Sequence, residues 1–207
     1  MAKPLPLPGS VRQDPDLDIV RLAQHRSTRS VAMGILYERF RERVFNVALR
    51  VVGNGDDAGD VLQDVFVRLF RKVHRFREKA FFGSWVYRIT VNVSLDHLRR
   101  RRRGPRPTAA QTLLDGPQEA DELTGPERRL AKHDLEEHVR EALEHLSPRL
   151  RIVIVLRYLE DLSYSDIAEI LDCSIGTVKS RLNRAHAAMR RELARRYDAG
   201  ESGVASA

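Results

Sequence analysis

Residues 163–185 read SYSDIAEILDCSIGTVKSRLNRA. The run Ser163-Tyr164-Ser165-Asp166 is a Ser-x-x-acid sequence. In such a run the hydroxyl and the acid satisfy the N–H groups left free where a helix begins. Ile167, Ala168, Ile170 and Leu171 follow as the apolar side of a short helix. Asp172-Cys173-Ser174 makes a turn, and Ser174 is placed to cap a second helix. In that second helix Val178, Leu182, Ala185, Met189 and Leu193 recur every three or four residues, which makes one buried stripe. Ala168 is small, as a close crossing of two helices requires. A short capped helix, a tight turn and a basic second helix are together the parts of a helix-turn-helix.

The face of the second helix opposite the stripe carries Thr177, Lys179, Ser180, Arg181, Asn183 and Arg184. Lys and Arg can donate to guanine edges, Asn can pair with adenine, and the remainder can hold phosphates. Gly176 leaves room for the backbone to approach DNA. The nearby acids Asp161, Asp166, Glu169 and Asp172 precede this helix and do not lie on it. Cys173 is the chain's one cysteine, which excludes a disulfide framework and a cysteine-based zinc site; a lone thiol is either a redox switch or, as is commoner in such a turn, a small buried filler.

Outward from this unit, Ser147-Pro148 opens a helix through Ile152, Val153, Val155, Leu156 and Leu159, since proline suits a first helical turn. Pro126 opens another through Leu130, Leu135, Val139, Leu143 and Leu146. Residues 126–197 therefore form one small helical domain, with a tail at 198–207. Residues 104–125 hold three prolines and no apolar period, which predicts a flexible linker. Residues 1–15 are Pro-rich and predict a flexible tail. Residues 16–103 show helical patterning throughout, interrupted by Gly53-Asn54-Gly55-Asp56 and by a loop over 76–83. Helices are predicted from about Val31 to Val52, from about Asp56, and from Ser84, as N-cap, to Arg103. The fold class is all-α, with two small helical domains joined by the linker.

The net charge of +7 is unevenly placed. Residues 1–103 and 173–197 are basic and the stretch between them is acidic, so two separate basic footprints suit a polyanion. The third N-terminal helix explains part of this. Arg88, Asn92, Asp96, Arg99 and Arg103 fall on one arc of its wheel, and the helix ends in five consecutive arginines, Arg99 to Arg103. The second helix presents Asp57, Asp60, Gln63 and Asp64. Asp57 and Asp60 suit the positive end of their helix, and the spacing gives no metal site. Phe76-Arg77-Glu78-Lys79-Ala80-Phe81-Phe82-Gly83 joins aromatic and basic residues, so its rings either stack on unpaired bases or cap the core.

No Gly-rich phosphate loop, histidine metal pattern or nucleophile–base spacing stands out, so no catalytic residue, metal or cofactor is expected. No secretory or membrane-spanning segment is apparent, and the chain reads as cytoplasmic.

Two stretches carry a family resemblance. Asp57-Ala58, Asp60, Gln63 and Phe66, followed by Trp85-Val86-Tyr87-Arg88-Ile89, Asn92, Asp96 and Arg99-Arg100, resemble domain two of the extracytoplasmic-function sigma factors. Leu146-Ser147-Pro148, Arg157-Tyr158, Leu162-Ser163-Tyr164, Ile167-Ala168 and Gly176 to Leu182 with Arg184-Ala185 resemble their domain four. The resemblance spans about residues 17–196. It implies that Asp57, Asp60, Gln63 and Asp64 dock on the β′ clamp helices of core RNA polymerase, with the β flap as a second contact. It implies that Arg88, Asn92, Asp96, Arg99 and Arg100 approach the −10 promoter element. The loop beginning at Phe76 would hold a flipped base. Lys179, Ser180, Asn183 and Arg184 would read the −35 element, with Thr177 and Arg181 on phosphates. An anti-sigma factor is a further implied partner. The alternative from another class is a stand-alone helix-turn-helix regulator with an N-terminal sensing domain.

Overall fold

The computed structural model describes residues 14–78, 81–103 and 137–204, with side chains described up to 101 and 195 in the helices that end the second and third segments. The start of the tail, the linker and the helix opening at Pro126 lie outside the described residues. The described residues are helical with no strand. The order is α1 (Leu17–Gln24), α2 (Arg29–Val52), α3 (Gly55–Lys72), a 3-10 turn (Val73–Arg75), α4 (Phe82–Arg103), α5 (residues 137–144), α6 (Pro148–Ile154), a π turn (Val155–Leu159), α7 (Tyr164–Ile170) and α8 (Ile175–Val204).

Local chemistry sets most boundaries. Gly53 ends α2 at φ +94°, a conformation that costs glycine nothing. Asn54 then caps α3 by accepting from the Asp57 N–H at 2.9 Å. Other boundaries depend on partners distant in sequence. The chain breaks at His25–Thr28, inside a stretch whose pattern reads as continuous helix. There the Gln24 amide donates to the carbonyls of Val73 (3.2 Å) and Phe76 (2.9 Å), and Arg29 donates to those of Ala23 and Gln24. Arg29, with the Thr28 hydroxyl on the Leu22 carbonyl, takes the carbonyls that α1 leaves unpaired at its end, while Gln24 ties that end to the turn after α3.

Helix α4 begins at Phe82, two residues before the expected Ser84 cap. The acceptor is Asp14, whose carboxylate takes the N–H groups of Phe82 (2.7 Å) and Asp16 (2.9 Å). Asp14 thus belongs to the fold and not to a tail, and Ser84 is buried in the first turn. At the other end of the chain, α8 runs to Val204, beyond the expected boundary at 197 and through Gly200 and Gly203. Extending an existing helix needs one hydrogen bond per residue and no new nucleus, so two glycines do not stop it.

The first core lies among α1 to α4, around Leu36, Phe40, Leu69 and Phe82. Thr90 and Ser94 of α4 are fully buried here. Their hydroxyls donate to the carbonyls four residues back, of Val86 and Thr90, at 2.9 Å each. Asp16 is also buried and pairs with Arg39 at 2.7 Å. Burial pushes the Asp16 carboxyl above its ordinary range, against the pull of Arg39.

The second core joins Leu143, Leu146, Ile152, Leu156, Leu162, Ile167, Val178 and Leu182. It does not stop at the domain edge: Val47 and Val51 of α2 and Tyr87 and Val91 of α4 lie in the same buried cluster.

Candidate nucleic-acid interface

The C-terminal unit forms as its sequence predicts. The Ser163 hydroxyl accepts from the Asp166 N–H at 3.2 Å, and the Asp166 carboxylate accepts from the Ser163 N–H at 3.1 Å. This capping box starts α7. Asp172 takes a left-handed conformation, φ 50°, which a short polar side chain tolerates, and turns the chain. Ser174 accepts from the Thr177 N–H at 3.1 Å and starts α8. Val178, Leu182 and Ala185 are then buried on α7 and α6. Met189 and Leu193 are partly buried farther along.

With that stripe fixed inward, the opposite face is fixed outward. Lys179, Ser180, Asn183 and Arg184 are exposed. Thr177 and Arg181 are half-buried at its edge. The Thr177 hydroxyl meets that of Ser174 at 2.9 Å, and the Arg181 guanidinium lies 3.9 Å from the Cys173 sulfur. Cys173 is therefore half-buried against the helix that it precedes. The outward face has two cations, one amide and one hydroxyl in the second and third turns of α8.

A second polar face runs along α4. Arg88, Asn92, Arg99 and Arg100 are exposed and Asp96 is half-buried. The charges on this face are already engaged. Asp96 pairs with Arg99 at 3.1 Å and Arg68 at 3.6 Å, Arg100 pairs with Asp64 at 3.4 Å, and Arg88 pairs with Asp172 at 3.4 Å. Exposed pairs of this kind are each worth about 0–1 kcal/mol, so a phosphate can displace the carboxylate.

The predicted acidic face on α3 divides. Asp60 and Gln63 are exposed and Asp64 is half-exposed. Asp57 faces inward, where Arg101 (2.6 Å), His97 (3.0 Å) and the Asn54 amide (2.7 Å) surround it. Partial burial raises its pKa, but the hydrogen bonds from Asn54 and His97 and the nearby charges outweigh that and hold the carboxyl below its ordinary range. A cleft lined by Asp60, Gln63, Asp64, His97, Arg100 and Arg101 joins this acidic face to the basic end of α4. His97 and Arg101 escaped the sequence reading, because five consecutive arginines give no hint of which one turns inward.

Phe76 requires a correction. It is only 7% exposed and packs on Phe82 at 5.4 Å and Trp85 at 5.3 Å between ring centroids. It is a core residue and presents no face to a base. Of the described rings in the loop, Phe81 is the one left partly exposed. Among the described residues no group of three or more His, Cys, Asp or Glu side chains could hold a metal ion, and no helix is long and apolar enough to cross a membrane.

Residues 36–104 match the family profile of Sigma-70 region 2, and residues 136–189 match that of Sigma-70 region 4. The RNA polymerase sigma-H factor of Pseudomonas aeruginosa is 32% identical over 186 residues, covering 87% of this chain and 95% of that protein. The ECF RNA polymerase sigma-E factor of Haemophilus influenzae is 35% identical over 160 residues, covering 74% and 83%. The chain belongs to the sigma-70 family, among its extracytoplasmic-function members.

Two solved complexes hold chains that share its fold. CnrH bound to the cytosolic domain of CnrY aligns with a TM-score of 0.61 and 24% identity, over 90% of this chain and 99% of that one. The sigma factor RpoE of Bartonella quintana, bound to the anti-sigma factor NepR, aligns with a TM-score of 0.58 and 23% identity, over 77% and 95%. In this sigma factor the region 2 match runs over α2 to α4, and the region 4 match runs from α5 into α8.

Proposed function

We propose that this sigma factor brings core RNA polymerase to its promoters by reading the −35 element with α8 and engaging the −10 element with α4. The two-sidedness of α8 carries the reading. Its apolar side is buried in the region 4 core, while Lys179, Ser180, Asn183 and Arg184 face solvent together. Lys179 and Arg184 donate to guanine edges and Asn183 pairs with adenine. Thr177 and Arg181, at the rim, hold phosphates.

On α4, Arg88, Asn92, Arg99 and Arg100 meet the −10 element, and Asp96 orients Arg99 and Arg68. Strand opening exposes bases to this face, and Phe81 is the loop ring placed to receive one. Asp60, Gln63 and Asp64 dock on the clamp helices of the polymerase, and Asp57 supports them from within. The region 4 unit meets the β flap. The sigma factor supplies no catalytic group, because nucleotide addition is the chemistry of the core enzyme. It works in the cytoplasm, where polymerase and DNA are, and an anti-sigma factor on another chain holds it in check.

Run-off transcription with bacterial core polymerase and a library of promoter fragments tests this. Transcripts should arise from a defined subset only when the protein is present. Tight sequence-specific DNA binding by the protein alone, with no transcript added, would point instead to a stand-alone regulator.

A further inference from the structure

Three side chains from the start of the described chain converge on one short stretch more than fifty residues away. Asp14 takes the Phe82 N–H on one carboxylate oxygen (2.7 Å) and the Asp16 N–H on the other (2.9 Å). Phe82 opens α4. On α1 the Gln24 amide donates to the carbonyls of Val73 and Phe76, at 3.2 and 2.9 Å. Those carbonyls bound the 3-10 turn that follows α3, where the Phe76 N–H also meets the Val73 carbonyl at 3.1 Å. One turn before Gln24, the Arg21 guanidinium grips Glu78 with two hydrogen bonds, from Nε at 2.8 Å and from Nη2 at 2.9 Å. Hydrogen bonding from Arg21 holds the Glu78 carboxyl below its ordinary range.

Helix α1 is a firm base for these ties. Val20 and Ala23 are buried in the first core, and Asp16 is buried against Arg39 at 2.7 Å. Arg21, the one basic residue of α1, is engaged with Glu78. That pair serves no core, since its side chains are 53% and 46% exposed. A two-pronged arginine–carboxylate pair fixes direction, which most exposed ion pairs do not.

Between the ties the chain passes from Glu78 to Phe81. The flanking rings of Phe76 and Phe82 are buried, and Phe81 is left partly exposed. A ring can stack on an unpaired base only when it is in place. A loop with free ends must first be ordered, and the cost of ordering is taken from the binding. Ties at Val73, Phe76 and Glu78 on the entry side, and at Phe82 on the exit side, place that cost in folding.

We propose that Asp14, Arg21 and Gln24 are positioning residues for base capture: α1 and the leader residue Asp14 brace both ends of the loop, so that Phe81 stands ready for an unstacked base of the −10 element. The inference rests on the promoter reading above. None of the three residues touches DNA in it. They act through the loop alone.

The experiment uses the full chain bound to core polymerase and labelled single-stranded −10 DNA, either intact or lacking one base at each position in turn. The quantity read is the ratio of affinities for the intact and the base-lacking strand. Wild type should show one position where loss of the base costs at least about fivefold, the lower end of what base–aromatic stacking gives. Arg21→Ala and Glu78→Ala should each reduce that ratio to about twofold, as a smaller fraction of loops stands ready. The loss should fall on the intact strand only. The double variant should be no weaker than either single one, because both remove the same pair. Gln24→Ala should reduce the ratio through the other tie. Should an alanine variant at Arg21 lose its helical circular dichroism signal, Arg21→Lys keeps the charge but not the two-pronged geometry, and should reduce the ratio in the same direction.

Folded Arg21→Ala, Glu78→Ala and Gln24→Ala chains that all keep the wild-type ratio would overturn the brace. Equal losses on intact and base-lacking strands would overturn it too, since these residues would then only support the fold. Failure of the promoter reading is separate. It appears as a wild-type protein with no base-dependent position, or as Phe81→Ala with an undiminished ratio, and it removes the brace's purpose with it.

Discussion

Helices α4 and α8 both present polar, basic faces, but they do so in opposite ways. At the centre of the α8 face, Lys179 and Asn183 are exposed, and Arg184 meets the carbonyl of Ser180 one turn back, at 3.4 Å. On α4, Arg88, Arg99, Arg100 and Arg101 each have a carboxylate partner, and Tyr87 is committed to Glu160. A helix fixed only by its own caps and core can offer a ready reading face. A helix that also joins two units has its charges claimed before any ligand arrives, and must exchange them. Sequence-specific contacts should therefore weigh most on α8, and coupling between ligands should weigh most on α4.

The largest effect expected is on the foundation of α4. Phe76→Ala removes a ring from the cluster of Phe82 and Trp85 and should cost about 3–5 kcal/mol of unfolding free energy in urea titration. Near-wild-type stability combined with weaker binding to single-stranded −10 DNA would restore Phe76 to the interface. Next comes the reading face of α8. Lys179→Ala with Arg184→Ala removes the two donors proposed to reach base edges, each worth about 1–3 kcal/mol in that role. Promoter-specific transcription should fall by at least about thirtyfold while competition for core polymerase is unchanged. Loss of both activities together would contradict the division of labour between the helices.

Asp60→Arg with Asp64→Arg should weaken binding to core polymerase by about tenfold, by repelling basic groups at the docking site. It should also release Arg100 from Asp64. Wild-type competition by that variant would remove the docking face from α3. The smallest effect belongs to Asp57. Its folded pKa lies below its unfolded value, so its contribution to stability is present above the unfolded value near 3.8 and is lost as pH falls through the folded one. Asp57→Asn should be less stable than wild type at pH 7, and the gap should narrow below pH 4 in urea titrations. A gap independent of pH would mean that the His97 and Arg101 contacts contribute nothing through charge.

The contrast between the helices also decides what could be read from sequence. The α7–α8 unit was legible because its determinants are local: Ser163 with Asp166, Ser174 with Thr177, and a stripe of fixed spacing. The all-α class and the region 4 face followed from these. The break between α1 and α2 was not legible, because Gln24 closes it by reaching residues 49 and 52 positions away. Asp14 as the acceptor for the start of α4 lies 68 residues from its donor and is hidden for the same reason. An aromatic ring in a basic loop looks the same in sequence whether it points inward or outward, so sequence alone does not separate a core role for Phe76 from a base-stacking one. Val47, Val51, Tyr87 and Val91 read as ordinary core residues of region 2, and only the packed structure shows that they complete the core of region 4.

The measurement that tests the central claim most directly is a base-by-base scan of promoter preference by run-off transcription, comparing the wild-type sigma factor with Arg184→Ala. The account predicts that preference relaxes at one or two positions within the −35 element, while the −10 profile stays unchanged. An unchanged −35 profile, or a change confined to the −10 element, would contradict the assignment of α8 as the helix that reads the promoter.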